Sequence, residues 1–294
     1  MRINLDYDYL DRVQRAAALY TKRKTSDLLE GDFHSSRHGR SLDFDDLRDY
    51  HYGDDVKDID WKSSSRVGKT LVRRYYADRR HDVIFVGDTG RKMTGDTPAG
   101  ESKAQIALMA FGVTAYLMGR QGVNCALSVC GHTGSRISPF LSGPGHLMEQ
   151  INAYKNAIEG GEPSQSFYDT LLGTASAFAR HMIMVIITDS EGLSQMDERL
   201  VRRLIYYNDV YILKIEDAYL TMDNAYDLED DRFADPFLSL FGDLRAEEQR
   251  IRQSIDRKAE KVLTPNRVFY KSISKEEEII DALVYLFGRR KGIL

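Results

Sequence analysis

From Asp82 to Arg289 short apolar runs alternate with helical patterns, and that alternation leaves few folds open to the chain. DVIFVGD (82–88), NCALSVC (124–130), HMIMVIITD (181–189), DVYILKI (209–215) and NRVFYKSI (266–273) read as strands. Helical stretches separate them: Ser102–Arg120, Leu147–Ile158, Tyr168–Arg180, Met196–Tyr207, Gly242–Leu263 and Lys275–Arg289. Strands joined by helices of this length predict an α/β fold, a doubly wound, mostly parallel sheet with helices on both faces. In such sheets ligands bind beyond the carboxyl ends of the strands, where strand order reverses. Two strands end there in an acid, Asp88 and Asp189. Each is expected either to cap the N-terminus of a neighbouring helix or to hold a cation.

Composition narrows the function. A hydrophobic fraction of 42%, a charged fraction of 29% and a net charge of -4 fit a soluble globular protein and do not favour a nucleic-acid partner. No run approaches the roughly 20 apolar residues of a membrane helix, and Met1–Leu10 carries acids where a signal peptide is apolar. No membrane insertion and a cytoplasmic location are therefore expected. Cys125 and Cys130, five apart in one strand, point to opposite faces and read as small buried residues.

Upstream of the strand–helix pattern, residues 1–30 read as an N-terminal amphipathic region, residues 31–80 as a separate charged segment, and residues 81–294 as the α/β domain. The segment from Ser41 to Arg80 holds Trp61, the one tryptophan, among Asp43, Asp45, Asp46, Asp49, Asp54, Asp55, Asp58 and Asp60, interleaved with Arg48, Lys57, Lys62 and Arg66. Local ion pairing is expected there, and Trp61 is expected to bury on the order of 150–250 Å². Leu71, Val72, Tyr75 and Tyr76 suggest a closing strand.

Gly39, Arg40, Arg48, Tyr50, Gly53, Asp54, Asp55, Ile59, Asp60, Trp61 and Arg66, followed by a strand ending DTGRKM, make a long pattern. It resembles the MoxR-associated family known only as domain of unknown function fifty-eight. The resemblance implies a von Willebrand factor A-like domain in a bacterial cytoplasmic protein. It also implies a role as a non-catalytic adaptor that helps a MoxR-type AAA+ ATPase act on client proteins. On that reading Arg48, Tyr50, Asp54, Asp55, Asp58, Asp60, Trp61 and Arg66 contact the partner.

Von Willebrand A-like domains commonly hold a divalent ion through Asp-x-Ser-x-Ser and later hydroxyl and acid ligands. Here the resemblance aligns that motif with Asp88-Thr89-Gly90-Arg91-Lys92, the later hydroxyl with Ser166 and the later acid with Asp189. Gly90 and Lys92 replace two oxygen ligands, so the metal site is degenerate, Mg²⁺ binding is expected to be weak, and no cofactor is expected. Lys92 either stands in for the metal, pairing with Asp88 or Asp189, or points to solvent while the acids cap helices. The alternative function is a divalent-metal-dependent enzyme using Asp88, Asp189 and the acids near Asp54.

Other patterns carry less. Gly95–Ser102 approximates a phosphate loop, but Glu101 stands where its lysine belongs. His34, His38 and His51 lack a cysteine companion and read as surface residues. Asp54–Asp60 lacks the spacing of an EF-hand, and Arg73, Arg74, Arg79 and Arg80 read as partners of nearby acids. The acidic, aromatic-rich insertion from Asp217 to Leu240 reads as a solvated loop, with a partner grip as the alternative. No G-x-S-x-G is present, which argues against a hydrolase of that kind.

Overall fold

The computed structural model describes residues 8–21, 38–52, 54–76, 82–221, 226–227, 232–233 and 242–290. In chain order their elements are α1 (Asp8–Thr21), β1 (His38–Asp49), α2 (Trp61–Val67), β2 (Leu71–Tyr76), β3 (Val83–Gly87), α3 (Lys103–Arg120), β4 (Cys125–Gly131), β5 (Gly134–Ile137), α4 (Pro144–Glu159), α5 (Phe167–Ala177), β6 (Met182–Thr188), α6 (Ser190–Ser194), α7 (Glu198–Ile205), β7 (Asn208–Ile215), the two-residue strands β8 (Tyr226–Asp227) and β9 (Arg232–Phe233), α8 (Gly242–Leu263), β10 (Phe269–Ile273) and α9 (Ile279–Arg290). They divide into two compact units: α1 with the residues from Asp82 onward, and the stretch between.

The larger unit is built on a six-stranded sheet in the order β5-β4-β3-β6-β7-β10. All neighbours pair parallel except β5, which turns back antiparallel on β4. From β3 the chain first steps outward to β4 and β5, then returns past β3 to lay down β6, β7 and β10. The topological switch point therefore lies between β3 and β6, at their carboxyl ends.

Alternate residues of β3 feed two cores. Phe85 meets Phe111 of α3 edge-on, with ring centroids 4.9 Å apart, while Ile84 and Val86 join Phe167 and Leu171 of α5, Leu200 and Leu204 of α7, and Leu263 of α8 on the opposite face. Each such fully buried side chain contributes roughly 1.5–3 kcal/mol. Helix α3 is buried nearly all round because α1 and α4 pack beside it. Helix α1 docks through Tyr9, Val13 and Ala17, and Arg12 reaches Glu276 at 3.1 Å. The N-terminal helix, set apart in the sequence as its own region, is thus part of the α/β unit.

In the smaller unit β1 and β2 pair antiparallel, with Leu47 opposite Arg73 and Asp49 opposite Leu71. Between them Asp55 caps a 3-10 turn at Val56–Asp58, and Asp60 caps α2 by accepting from the Ser63 amide at 3.0 Å. Gly68, in the left-handed conformation at φ 74°, ends α2 and lets the chain turn into β2. Ile59, Leu71 and Val72 are the buried apolar residues of this turn region.

Candidate functional site

Residues Gly87 of β3 and Ile187 of β6 are paired in register, so Asp88 and Asp189 leave the sheet at the same edge. Each does local structural work. Asp88 Oδ1 accepts from the Gly90 amide at 2.9 Å and Oδ2 from the Thr188 hydroxyl at 2.6 Å. Asp189 Oδ1 accepts from the amides of Glu191 (2.9 Å) and Gly192 (3.1 Å), capping α6. That cap requires a glycine, because a Cβ on residue 192 would sit 1.9 Å from Thr188 Oγ1 and 2.6 Å from Asp88 Oδ2.

The second oxygen of Asp189 accepts from Lys103 Nζ at 2.7 Å, and the same ammonium also pairs with Asp217 Oδ1, two residues beyond β7. The Lys103 side chain is only 2% exposed. Burial alone pulls its pKa down, yet Asp189 and Asp217 outweigh burial and the net shift is upward, so the group is an ammonium. Asp217 has its own pKa lowered: burial raises it, and Lys103, the Ser190 side chain and Arg252 more than reverse this. For Asp88 burial and the negative Asp189 act together and push the carboxyl up to about 7, against the Thr188 and Gly90 hydrogen bonds.

These contacts test the fit of a divalent ion. The hydroxyl of Ser166, which does line the same cavity of about 460 Å³ as Asp88 and Asp189, donates to Asp169 Oδ2 at 2.6 Å. Gly90 supplies no side-chain oxygen, and Asp189 already faces a fixed positive charge. A divalent ion about 4 Å from that ammonium meets a repulsion of roughly 8 kcal/mol at an effective dielectric of about 20. The residues present do not fit Mg²⁺. Among the described residues no cluster of His, Cys, Asp and Glu suits another metal.

Lys92 is not the stand-in. Its Nζ pairs with Glu191 Oε2 at 3.2 Å, both side chains are about half exposed, and neither Asp88 nor Asp189 receives it. The pairing with Asp189 belongs instead to Lys103, in the first turn of α3. The phosphate-loop-like stretch before α3 is a closed turn in which the Glu101 carboxylate accepts from the Glu276 amide at 2.7 Å. Cys125 and Cys130 are both buried free thiols.

In the smaller unit the predicted contact residues separate by role. Arg48 Nη2 grips Asp54 at 2.5 Å, Asp54 also accepts from the His51 amide at 2.8 Å, and Asp60 adds an ion pair to Arg73 at 3.1 Å to its cap. Asp54 and Asp60 have lowered pKa values, chiefly from the backbone hydrogen bonds of His51 and Ser63 respectively. Asp58 is half-buried, while Arg66 and Tyr50 are exposed. Trp61 is 66% exposed, so the burial expected of it is not found. Tyr52, Val56 and Val67 are exposed as well. His34, Gly53 and most of the Asp217–Leu240 insertion lie outside the described residues.

A family model described as "Protein of unknown function DUF58" matches residues 46–262, more than half of the chain. The chain belongs to the DUF58 family. No curated protein matches it. Among solved structures, this DUF58 chain is similar to an aerotolerance-related membrane protein from Bacteroides fragilis NCTC 9343 bearing multiple mutations to serines. That match has 8% identity and a TM-score of 0.45, and covers 71% of this chain and 99% of that one. It is also similar to a von Willebrand factor type A protein from Catenulispora acidiphila, at 12% identity and a TM-score of 0.38, covering 76% of this chain and 44% of that one. The SpRpn10 VWA domain matches at 12% identity and a TM-score of 0.31, over 47% and 76%. Among the described residues no helix is long and apolar enough to cross a membrane.

Proposed function

We propose that this chain is a non-catalytic protein-interaction adaptor that works in the cytoplasm with a MoxR-type AAA+ ATPase in the folding, assembly or activation of client proteins. The observation that carries this reading is the set of exposed apolar side chains on the smaller unit, Tyr50, Tyr52, Val56, Trp61 and Val67, near a turn braced by Arg48–Asp54 and Arg73–Asp60. Interfaces concentrate their binding energy in such aromatic residues, and a braced scaffold loses little freedom on docking. Asp88 and Asp189, the acids a metal-dependent reaction would use, are engaged by Thr188, Lys103 and backbone amides, which favours docking over hydrolytic chemistry.

The test is co-purification with a co-expressed MoxR-type ATPase, together with its ATPase rate, for the wild-type chain, Asp55→Ala and Trp61→Ala. Trp61→Ala is expected to weaken the complex roughly 30-fold, the size of an interface hot spot. Asp55→Ala, which removes the cap of the 3-10 turn, is expected to weaken it less. An ATPase that neither binds the wild-type chain nor changes rate in its presence overturns the adaptor reading.

A further inference from the structure

Three strand ends meet at the edge of the sheet: Asp88 after β3, Asp189 after β6 and Asp217 after β7. Asp88 is held by Thr188 and the Gly90 amide, whereas Asp189 and Asp217 share one cation, without which two neighbouring carboxylates largely out of water repel each other. The cation here comes from the chain. Lys103 Nζ bonds Asp189 Oδ2 at 2.7 Å and also Asp217 Oδ1, while the opposite oxygens of those acids accept backbone amides: Glu191 and Gly192 for Asp189, Ser190 for Asp217. The ammonium is thus tied to the starting turn of α6 through both of its acids. It enters from the first turn of α3, whose other residues up to Gly119 carry no charge.

We propose that Lys103 is the resident cation of this edge, its ammonium doing permanently what an exchangeable divalent ion does in a metal-bound site, so that the strand ends are held together without metal. One consequence follows for ligand class. The edge excludes Mg²⁺, Mn²⁺ and Ca²⁺ in the native chain, and removing the ammonium creates a place for one of them. A neighbouring cavity of about 400 Å³, lined by Lys103, Asp217, Glu248 and Arg252, gives water and ions access to the vacated position.

Mn²⁺ titration followed by paramagnetic resonance, with melting curves in Mg²⁺ or in chelator, tests this on the full chain alone. Wild type is expected to show no saturable Mn²⁺ binding up to millimolar concentration and the same melting temperature in Mg²⁺ and chelator. Lys103→Met is expected to melt roughly 6–20 °C lower. It is also expected to gain saturable Mn²⁺ binding and to recover part of its melting temperature when the metal is added, which loss of packing alone would not produce. Lys92→Met is expected to behave as wild type in both measurements.

Saturable micromolar Mn²⁺ binding by wild type that disappears in Asp189→Asn overturns the proposal, and so does a folded Lys103→Met chain that stays indifferent to metal. Should Lys103→Met not fold, the wild-type titration with its Asp189→Asn control still decides. No ATPase enters these measurements, so their outcome is separate from that of the adaptor reading.

Discussion

Lys103 and Lys214 lie in the α/β unit with side chains 2% and 1% exposed, each between two carboxylates: Asp189 and Asp217 for the first, Glu216 (3.2 Å) and Asp256 (2.7 Å) for the second. The smaller unit arranges its charges differently. Arg48–Asp54 and Arg73–Asp60 are partly in water, brace a turn between two short strands, and leave Tyr52 and Trp61 uncovered. Buried pairs of the first kind are poor sources of net stability, but losing one partner is costly, so they tie particular elements together. Lys214 holds α8 against β7, and Lys103 holds α3 against the ends of β6 and β7. Exposed pairs of the second kind are individually weak and screened by salt, and their value lies in presenting the aromatic side chains between them.

Substitutions that intrude on the buried edge are expected to have the largest effect. Gly192→Ala places a methyl within 3 Å of Thr188 Oγ1, Asp88 Oδ2 and the Phe167 ring, so these buried neighbours or α6 must shift. Its expected cost is about 3 kcal/mol or more. Urea unfolding or loss of soluble protein measures it, and wild-type stability would show that α6 is free to withdraw. Next comes Asp256→Ala, which leaves the Lys214 ammonium buried with Glu216 alone. A loss of about 2–3 kcal/mol is expected by the same measurement.

A smaller effect, of opposite sign, is expected at Asp88. Its native pKa is raised to about 7 from an ordinary 3.8, so the folded chain binds more protons than the unfolded one between those values. Stability on this account falls as pH rises from about 4 to about 7 and is level above. Asp88→Asn removes the charge facing Asp189. The variant is expected to gain on wild type across that window and to be about 1–2 kcal/mol more stable near pH 8, with the difference closing near pH 4. A variant that is less stable than wild type near pH 8 would show that the Thr188 and Gly90 hydrogen bonds to the carboxylate outweigh its repulsion.

The sheet was legible because its central strands are apolar for their whole length, a requirement that burial on both faces imposes on local sequence. Strand β5 was not, since GSRI (134–137) lies at the sheet edge and has no such run, and α6 is five residues long. At the site, Asp88 and Asp189 announced themselves as the acids ending two strands. Lys103 did not, because its partners lie 86 and 114 residues away and Lys92 occupies the motif position. Two signals were present all the same: a single charge in the otherwise uncharged 103–119 stretch, and a third strand, VYILKI, also followed by acids, Glu216 and Asp217. Trp61 misled for a different reason. Aromatic residues are buried on average, but this one opens a seven-residue helix whose side chains are all at least partly exposed, beside the buried Ile59, Leu71 and Val72.

The smallest expected effects on stability lie in the smaller unit, and they sharpen the contrast with the buried lysines. Asp60→Ala removes both the cap of α2 and the partner of Arg73, so amide exchange across 61–67 is expected to quicken while the melting of the α/β unit stays unchanged. Trp61→Ala removes a side chain that is mostly in water and contributes no cap. Its effect on unfolding is expected within about 0.5 kcal/mol, although the adaptor reading expects it to be the more damaging of the two for partner binding. The two variants therefore exchange rank between measurements: Asp60→Ala leads in hydrogen exchange and Trp61→Ala in affinity. A Trp61→Ala chain that unfolds as readily as Gly192→Ala would mean that the tryptophan is covered in solution. Trp61 would then belong with the buried, structural residues, and the distinction between the two units would fail at its most exposed point.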